Sequence, residues 1–160
     1  VLPMLQKATL KAAIGWAVKE GITNGTSATT FSPGNTCTTA QILTFLWRAN
    51  GSPNSNAACP ASDVAETSPF YKALCWANEK DLMTKGSGST PCTRAAAITY
   101  LWKLAGSPKM SVNSSFTDVP ASADFAQAVA WAVEQGEPNG VSASEFAPDS
   151  NWSRGQILTF

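Results

Sequence analysis

Apolar residues recur with helical periodicity in three separate segments of the chain. They are Ala13, Trp16 and Ala17 in the first segment and Ala128, Trp131 and Ala132 in the last. A spacing of three and four residues places such side chains on one face of a helix. The two segments run into Gly21 and Gly136, and glycine is a common C-terminal stop. We therefore predict a helix in each segment and call it helix one of its copy.

The middle segment, "SPFYKALCWANEK", predicts the start of its helix most directly. Ser68 is a favourable N-cap, and Pro69 would occupy the first helical position, where proline costs little. A loop rich in Gly, Ser and Thr follows helix one in the first copy, as "GITNGTSATTFSP". Phe31 and its counterpart Phe146 are predicted to anchor their loops in the core.

A second helix is predicted after each loop, beginning behind Thr38, Thr93 or Ser153. Gln41 and Gln156 stand three residues after two of these caps, which predicts a reciprocal capping box. Thr93 lacks a Glu or Gln at that spacing and keeps only half of the box. "GSP" then ends the second helix in the first two copies.

The outer copies align without a gap, and the middle copy aligns after a five-residue deletion in its loop. Repeats of this length are supersecondary units that bury their faces against one another. We therefore predict one all-α module over residues 1–160, built from three pseudo-repeated helix-loop-helix units. The units are 1–53, with an incomplete start, 54–108, and 109–160, with an incomplete end.

Two aspartates precede helix one in the second and third copies, as "ASDV" at Asp63 and "FTDV" at Asp118. Two carboxylates can form a catalytic acid–base pair, but these occupy one position in two repeats. The prediction is therefore structural, with each carboxylate bound to nearby backbone amides in a turn.

Composition excludes several classes of function. Eleven basic and eleven acidic residues give no net charge, so we expect no nucleic-acid partner. No apolar run approaches the length of a membrane span, so we expect no membrane insertion. The chain has no histidine, which excludes Ser-His and Cys-His nucleophiles. We expect no enzyme, no catalytic residue, no metal site and no cofactor.

Several short motifs follow one another in a fixed order: "FTDV", "WAVEQG", a "GITNG"-like loop with "F-x-P", and then "CTTAQ", "CTRAA" or "WSRGQ". This order resembles the S-layer homology repeat of bacterial surface proteins. The resemblance covers nearly the whole chain. It implies a pseudo-threefold module in which the first helices form a central three-helix bundle and the second helices splay outward. It also implies a non-catalytic module at the bacterial cell surface or wall, which binds secondary cell-wall polysaccharide, often pyruvylated, in grooves between repeats.

The family's Thr-Arg-Ala-Glu motif falls on the starts of the second helices, which implies ligand-binding roles for Arg94, Arg154, Thr93 and Ser153. A guanidinium beside a helix N-terminus can offer planar donors and the positive end of the dipole to an acidic sugar. The first copy has Thr39 in place of Arg, so its site is expected to be lost or altered. The family's Glu is absent from all three copies.

Aromatic residues divide into two groups under this resemblance. The family's tryptophan near the start of helix one corresponds to Phe70 and Phe125, whose rings could either stack on a sugar or simply pack in the core. The later Trp16, Trp76 and Trp131 are expected inside the bundle, and Trp47 and Trp102 between helices.

The residue after each cap is expected to point outward and to follow the ligand. Exposed charges contribute little stability. Replacing Arg94 and Arg154 by Ala is therefore expected to abolish wall binding and to leave thermal unfolding almost unchanged.

Four cysteines suit an exported, extracellular protein stabilised by disulfides. Cys37 and Cys92 share a repeat position and should be held apart, so each would pair with Cys59 or Cys75. The third copy has the small Ala130 and the large Trp152 at the positions of Cys75 and Cys92, as if the two sites touch. That favours Cys75 with Cys92 and Cys37 with Cys59.

A structural role is the alternative to wall binding. With one arginine lost and no Glu, the repeats could serve as a self-assembly unit of a surface layer or filament, with degenerate sugar sites. An incomplete last helix leaves apolar surface that a neighbouring chain could cover.

Overall fold

A computed structural model describes residues 10–112, 115–136 and 140–158 of the 160-residue chain. These residues form helices α1 (Leu10–Lys19), α2 (Thr39–Ala49), α3 (Tyr71–Glu79), α4 (Arg94–Leu104), α5 (Ala126–Glu134) and α6 (Arg154–Leu158). The described residues contain isolated β-bridges but no strand, so the all-α prediction is confirmed. No helix in this part of the chain is long and apolar enough to cross a membrane.

The chain divides into two compact units. The first unit comprises residues up to Pro91 together with those from Trp152 onward, and it contains α1, α2, α3 and α6. The second unit is Cys92–Asn151 and contains α4 and α5. The pseudo-threefold arrangement around a central bundle stays a prediction.

Inside each unit, helix two of one copy packs against helix one of another. In the first unit α2 packs on α3 and α6 packs on α1, and in the second unit α4 packs on α5. The largest fully buried side chains of α2 and α3 are Trp76, Ile42, Leu43 and Leu74, and those of α4 and α5 are Ile98 and Val129. Small residues on helix one, such as Ala73 and Ala128, let a facing helix approach closely.

The predicted ends of helix one are confirmed. Gly21 and Gly136 have φ angles of 70° and 84°, a conformation that glycine adopts at little cost. The middle copy places Asp81 there with φ of 55°. The start of α3 differs from the prediction: the helix begins at Tyr71, and the Ser68 hydroxyl accepts from the Phe70 N–H at 3.2 Å in the preceding turn.

Two tryptophans close the ends of α2 and α4. The indole N–H of Trp47 donates to the Pro53 carbonyl at 2.9 Å, and Trp102 donates to Pro108 at the same distance. Each "GSP" turn is thereby bound back to its helix.

The tryptophans of helix one were all expected inside a bundle, and for Trp16 this is wrong. Trp76 is 2% exposed and Trp131 is half-buried, but Trp16 is 37% exposed. The buried stripe of α1 follows Ala13 and Ala17, and Trp16 lies about 100° around the helix from Ala17.

The predicted disulfides are not formed. All four cysteines are reduced, so neither Cys75 with Cys92 nor Cys37 with Cys59 is joined. The thiols of Cys37, Cys59 and Cys92 instead donate to nearby backbone carbonyls, at 3.6–3.8 Å. Cys37, Cys75 and Cys92 are buried, and Cys59 is half-buried. Cysteine behaves well as a small core residue, so burial alone accounts for these side chains.

Candidate ligand-binding site

The start of each helix two contacts the loop that precedes another helix two. We call these contacts junctions. The α2 junction joins Thr38–Ala40 to the loop 85–91, the α4 junction joins Thr93–Ala95 to the loop 144–151, and the α6 junction joins Ser153–Gly155 to the loop 24–36. The cap residue forms a β-bridge at each of them: Thr38 with Pro91, Thr93 with Asn151, and Ser153 with Thr36.

The caps themselves form as predicted. The Thr38 N–H donates to Gln41 Oε1 at 3.0 Å while the Gln41 N–H donates to Thr38 Oγ1 at 3.2 Å, a complete capping box. Ser153 and Gln156 make the same pair of bonds. Thr93 accepts from the Ala96 N–H at 3.2 Å and, as predicted, has only this half of the box.

The first two N–H groups of each helix two bind loop carbonyls. Within α4 the Arg94 N–H donates to Ser150 at 2.8 Å and the Ala95 N–H to Pro148 at 3.0 Å. The other two junctions repeat the pattern, through Thr39 to Thr90, Ala40 to Gly88, Arg154 to Asn35 and Gly155 to Pro33. These donors satisfy the protein's own loop, so they are not available to a sugar.

Arg94 is held below the surface at the α4 junction. It is 9% exposed, its Nε donates to the Phe146 carbonyl at 2.9 Å, and its guanidinium carbon lies 4.8 Å from the Phe146 ring centre. Phe146 is fully buried, as predicted, and its ring centre is 5.6 Å from that of Phe116. A cation over a desolvated aromatic face is stabilised more than at an exposed site. Arg94 therefore fastens the loop to α4.

Arg154 does the same at the α6 junction and is only 5% exposed. Its Nε donates to the Phe31 carbonyl at 3.2 Å, and its Nη2 donates to the Asn24 carbonyl at 2.8 Å. The guanidinium carbon lies 4.8 Å from the Phe31 ring centre and 5.7 Å from that of Phe45.

The expectation that the two arginines point outward is wrong. Burial lowers the pKa of both guanidinium groups, although arginine stays protonated in proteins. The loop carbonyls and Phe rings that cover them come from residues 52 and 123 positions away in the chain. The side chain after the cap therefore also belongs to the fold.

The α2 junction lacks both partners of this contact. Thr39 replaces the arginine and donates through Oγ1 to the Thr90 carbonyl at 3.0 Å. Alignment with Phe31 places Gly86 where the aromatic ring would be. A Cβ on Gly88 would lie 2.7 Å from Val64 Cγ2 and 3.2 Å from Ala40 Cβ, so the loop packs directly on the helices.

The sequence contains a signal for the pairing of arginine with phenylalanine, which the motifs taken one by one did not reveal. Arginine is present in copies two and three, while phenylalanine is present in copies three and one. The two sets match only when each helix two is paired with the loop of the following copy, and the third helix two with the first loop.

The repeat-equivalent aspartates clamp these loops. Asp118 accepts from the Phe146 N–H at 2.9 Å and the Ala147 N–H at 2.6 Å. Asp63 accepts from the Gly88 N–H at 2.8 Å and from both the N–H and the hydroxyl of Ser89. The structural role is as predicted, but the amides lie 25 to 29 residues away rather than in the local turn.

Acid should weaken the α2 junction through Asp63. Hydrogen bonds from the Ser87 hydroxyl, the Gly88 N–H and Ser89 hold the pKa of Asp63 well below its usual range. The unfolded chain protonates this residue near pH 3.9, whereas the folded chain keeps it ionised to lower pH. The unfolded state therefore binds more protons below about pH 4, and stability falls as pH falls. We expect urea unfolding at pH 7, 4 and 3 to show a decline that is smaller in Asp63→Asn; an identical decline in both proteins would contradict this role.

Comparison with protein families decides what the repeats are. The S-layer homology domain profile matches residues 7–43 and 115–158, just over half of the chain. The chain belongs to the S-layer homology domain family. The resemblance stated from the sequence is thus confirmed. A comparison with curated proteins gave no match.

S-layer homology domains are non-catalytic modules that anchor proteins to the bacterial cell surface by binding secondary cell-wall polymers. The matched segments contain Phe31, Phe146 and Arg154, but the profile stops short of Arg94 and the altered loop of the middle copy. Among the described residues, no group of three or more Cys, Asp and Glu side chains is placed to hold a metal ion.

Phe70 and Phe125, which align with the family's tryptophan, immediately precede α3 and α5. Both side chains are half-buried. Their backbone carbonyls accept the N–H groups of Leu74 and Val129, which starts each helix. A ring at this position can pack on the helix and still offer an edge or face to a sugar.

A shallow hollow of about 300 Å³ opens in the second unit beside Phe116. Its lining residues are Ser115, Phe116, Val133, Gly136, Gly140, Ser142 and Ala143. A Cβ on Gly140 would lie 2.5 Å from the Phe116 ring, so the absent side chain permits the close approach of this loop to the ring. The Phe116 ring thus lies between the hollow and Phe146, the residue that Arg94 binds.

Proposed function

We propose that this S-layer homology module anchors a larger protein to a secondary cell-wall polysaccharide, with pyruvylated sugar as the acidic component. The proposed ligand-binding residues are Arg94, Arg154, Thr93 and Ser153 at the α4 and α6 junctions, with Phe70 and Phe125 as stacking platforms. The proposed location is the bacterial cell wall or outer surface, outside the cell. The proposed architecture is one module of three repeats.

One observation supports this proposal most strongly. Each of two repeat-equivalent arginines is buried beside exposed loop residues that carry hydroxyl and amide groups. Thr26, Asn35 and Thr36 line the exposed side of the loop that Arg154 holds, and Ser144 and Ser150 are exposed on the loop that Arg94 holds. Such groups match the donors and acceptors of a sugar, and a nearby poorly screened cation favours an acidic one.

The arginines have two tasks in this mechanism. Their Nε atoms and ring contacts fix the loop conformation, and their positive charge sets the preference for an anion. Fixing the loop before the ligand arrives reduces the entropy lost on binding. The α2 junction, without Arg or Phe, is proposed to bind no acidic sugar.

Co-sedimentation with purified Gram-positive cell walls tests the function. We expect the chain to pellet with intact walls and to stay in the supernatant after the secondary polysaccharide has been stripped chemically. Arg48→Gln, which changes a half-buried arginine at the far end of α2, is the matched control and should pellet like the wild type.

Two outcomes would count against the proposal. Equal binding to intact and stripped walls would indicate a different wall component. No binding to either preparation, with concentration-dependent association in sedimentation velocity, would favour the self-assembly role instead.

A further inference from the structure

The α4 and α6 junctions are equivalent in backbone geometry but differ in charge. The loop held by Arg154 contains no charged residue between Gly21 and Thr38. The loop held by Arg94 carries the exposed Glu145 and Asp149, and Asp118 is bound to its backbone. The ungapped alignment places Pro3 at the position of Asp118 in the first copy, so that carboxylate is not encoded there.

The two arginines therefore experience different surroundings. Burial lowers the pKa of Arg94, and the negative charge of Asp118 opposes this effect. For Arg154 the only opposing charge would be a Cys37 thiolate, and burial raises the pKa of that thiol to about 11. Among the residues that the structure describes, two backbone carbonyls accept hydrogen bonds from the Arg154 guanidinium and two rings lie against it. A buried charge without a counterion carries a desolvation cost that an incoming anion can offset.

The hydrogen bonds also leave one nitrogen of this guanidinium available to a ligand. Nε and Nη2 of Arg154 are occupied, whereas Nη1 has no hydrogen-bond partner among the described residues. In the described part of the chain, no side-chain nitrogen or oxygen is both sealed from solvent and unpartnered. Nη1 therefore retains some contact with solvent, from which a carboxylate can approach it.

We infer that the acidic group of the wall polymer binds at the α6 junction alone, on Nη1 of Arg154, and that the α4 junction takes an uncharged part of the polymer. This inference rests on the function proposed above and narrows the preference for an anion, given there to both arginines, to Arg154. At the α4 junction, Asp118 acts electrostatically on Arg94 and the loop adds the exposed carboxylates of Glu145 and Asp149, so an anion is disfavoured and the arginine serves to hold the loop. The module then takes one acidic group per chain, and the polymer binds in one orientation.

A substitution that leaves Arg154 in place tests this assignment. Gly34 is exposed, lies in the α6 junction loop, and a Cβ there would meet nothing within 4 Å. Asp149 occupies the equivalent position in the α4 junction. Gly34→Asp therefore gives the α6 junction a carboxylate that the α4 junction already has, and Gly34→Asn is the neutral control.

The probe is a one-repeat fragment of wall polysaccharide that carries a pyruvate ketal, and the same fragment after mild acid removes the ketal. Titration calorimetry should find one pyruvylated fragment per wild-type chain. Gly34→Asp should weaken its binding about tenfold or more, as expected for a charge-assisted contact opposed by a like charge. Gly34→Asn should change it less than about threefold, and all three proteins should bind the ketal-free fragment alike.

A second pair of variants gives an independent measurement. Arg154→Gln should remove the preference for the pyruvylated fragment, whereas Arg94→Gln should retain it, in proteins that near-ultraviolet circular dichroism shows to be folded. Two equal acidic sites in the wild type, or the loss of the preference in Arg94→Gln only, would overturn the assignment and leave wall binding intact. No wild-type binding to either fragment would overturn the proposed function with it.

Discussion

Replacing Phe146 by Ala is expected to lower the free energy of unfolding by about 3–5 kcal/mol. Phe146 is fully buried and contacts both Phe116 and the Arg94 guanidinium. Truncation removes the aromatic surface, leaves a cavity, and takes the ring from a buried cation. These losses fall on one junction, so we expect the whole α4 junction to weaken.

The matched control is Phe31→Ala, at the same position of another repeat. Phe31 is half-buried, so its truncation should cost less, about 1–3 kcal/mol. Urea unfolding followed by tryptophan fluorescence measures both variants. Equal losses would contradict the prediction, because they would mean that the two rings are buried to the same extent in solution.

Replacing either junction arginine by Ala should cost about 2–4 kcal/mol, although both are charged residues at helix starts. Each guanidinium donates to loop carbonyls and stacks on a Phe ring, and its removal leaves a buried carbonyl without its donor. The sequence-based expectation of almost unchanged thermal unfolding assumed that the two arginines are exposed, and their burial reverses it. The desolvation cost of the buried charge offsets part of the stability that these contacts contribute, and it therefore limits the expected loss to the upper end of this range.

Arg48→Ala separates this effect from the loss of any arginine. Arg48 is half-buried, and in the described part of the chain it makes one long hydrogen bond, of 3.4 Å, to the Ile22 carbonyl. We expect a loss below about 1 kcal/mol, measured by the same urea titration. If Arg94→Ala and Arg154→Ala were as mild as Arg48→Ala, the loop would be held by its backbone bonds alone.

These stability effects determine how binding experiments on this family should be designed. A wall-binding defect in an Arg→Ala variant can arise from a released loop as well as from a lost ligand contact. Gly34 offers a way to separate the two effects, since a carboxylate there changes the charge of the α6 junction and leaves the buried arginine in place.

Local sequence determined the elements of this protein. The capping boxes at Thr38 and Ser153, the glycine stops at Gly21 and Gly136, and the apolar stripes each depend on residues within about four positions. They predicted helices, their order and most of their ends without reference to the rest of the chain. The order of weak motifs, held over three copies, also identified the family.

Tertiary structure alone decided what the side chains after the caps do. Arg94 and Arg154 contact residues 52 and 123 positions away, and Thr39 faces a loop that has no ring. A Thr or Ser cap can be recognised at all three starts, because a cap depends on its own helix, whereas burial depends on which loop covers the next residue. Charge next to the arginines is likewise set by that loop, which is why equivalent motifs form three different junctions.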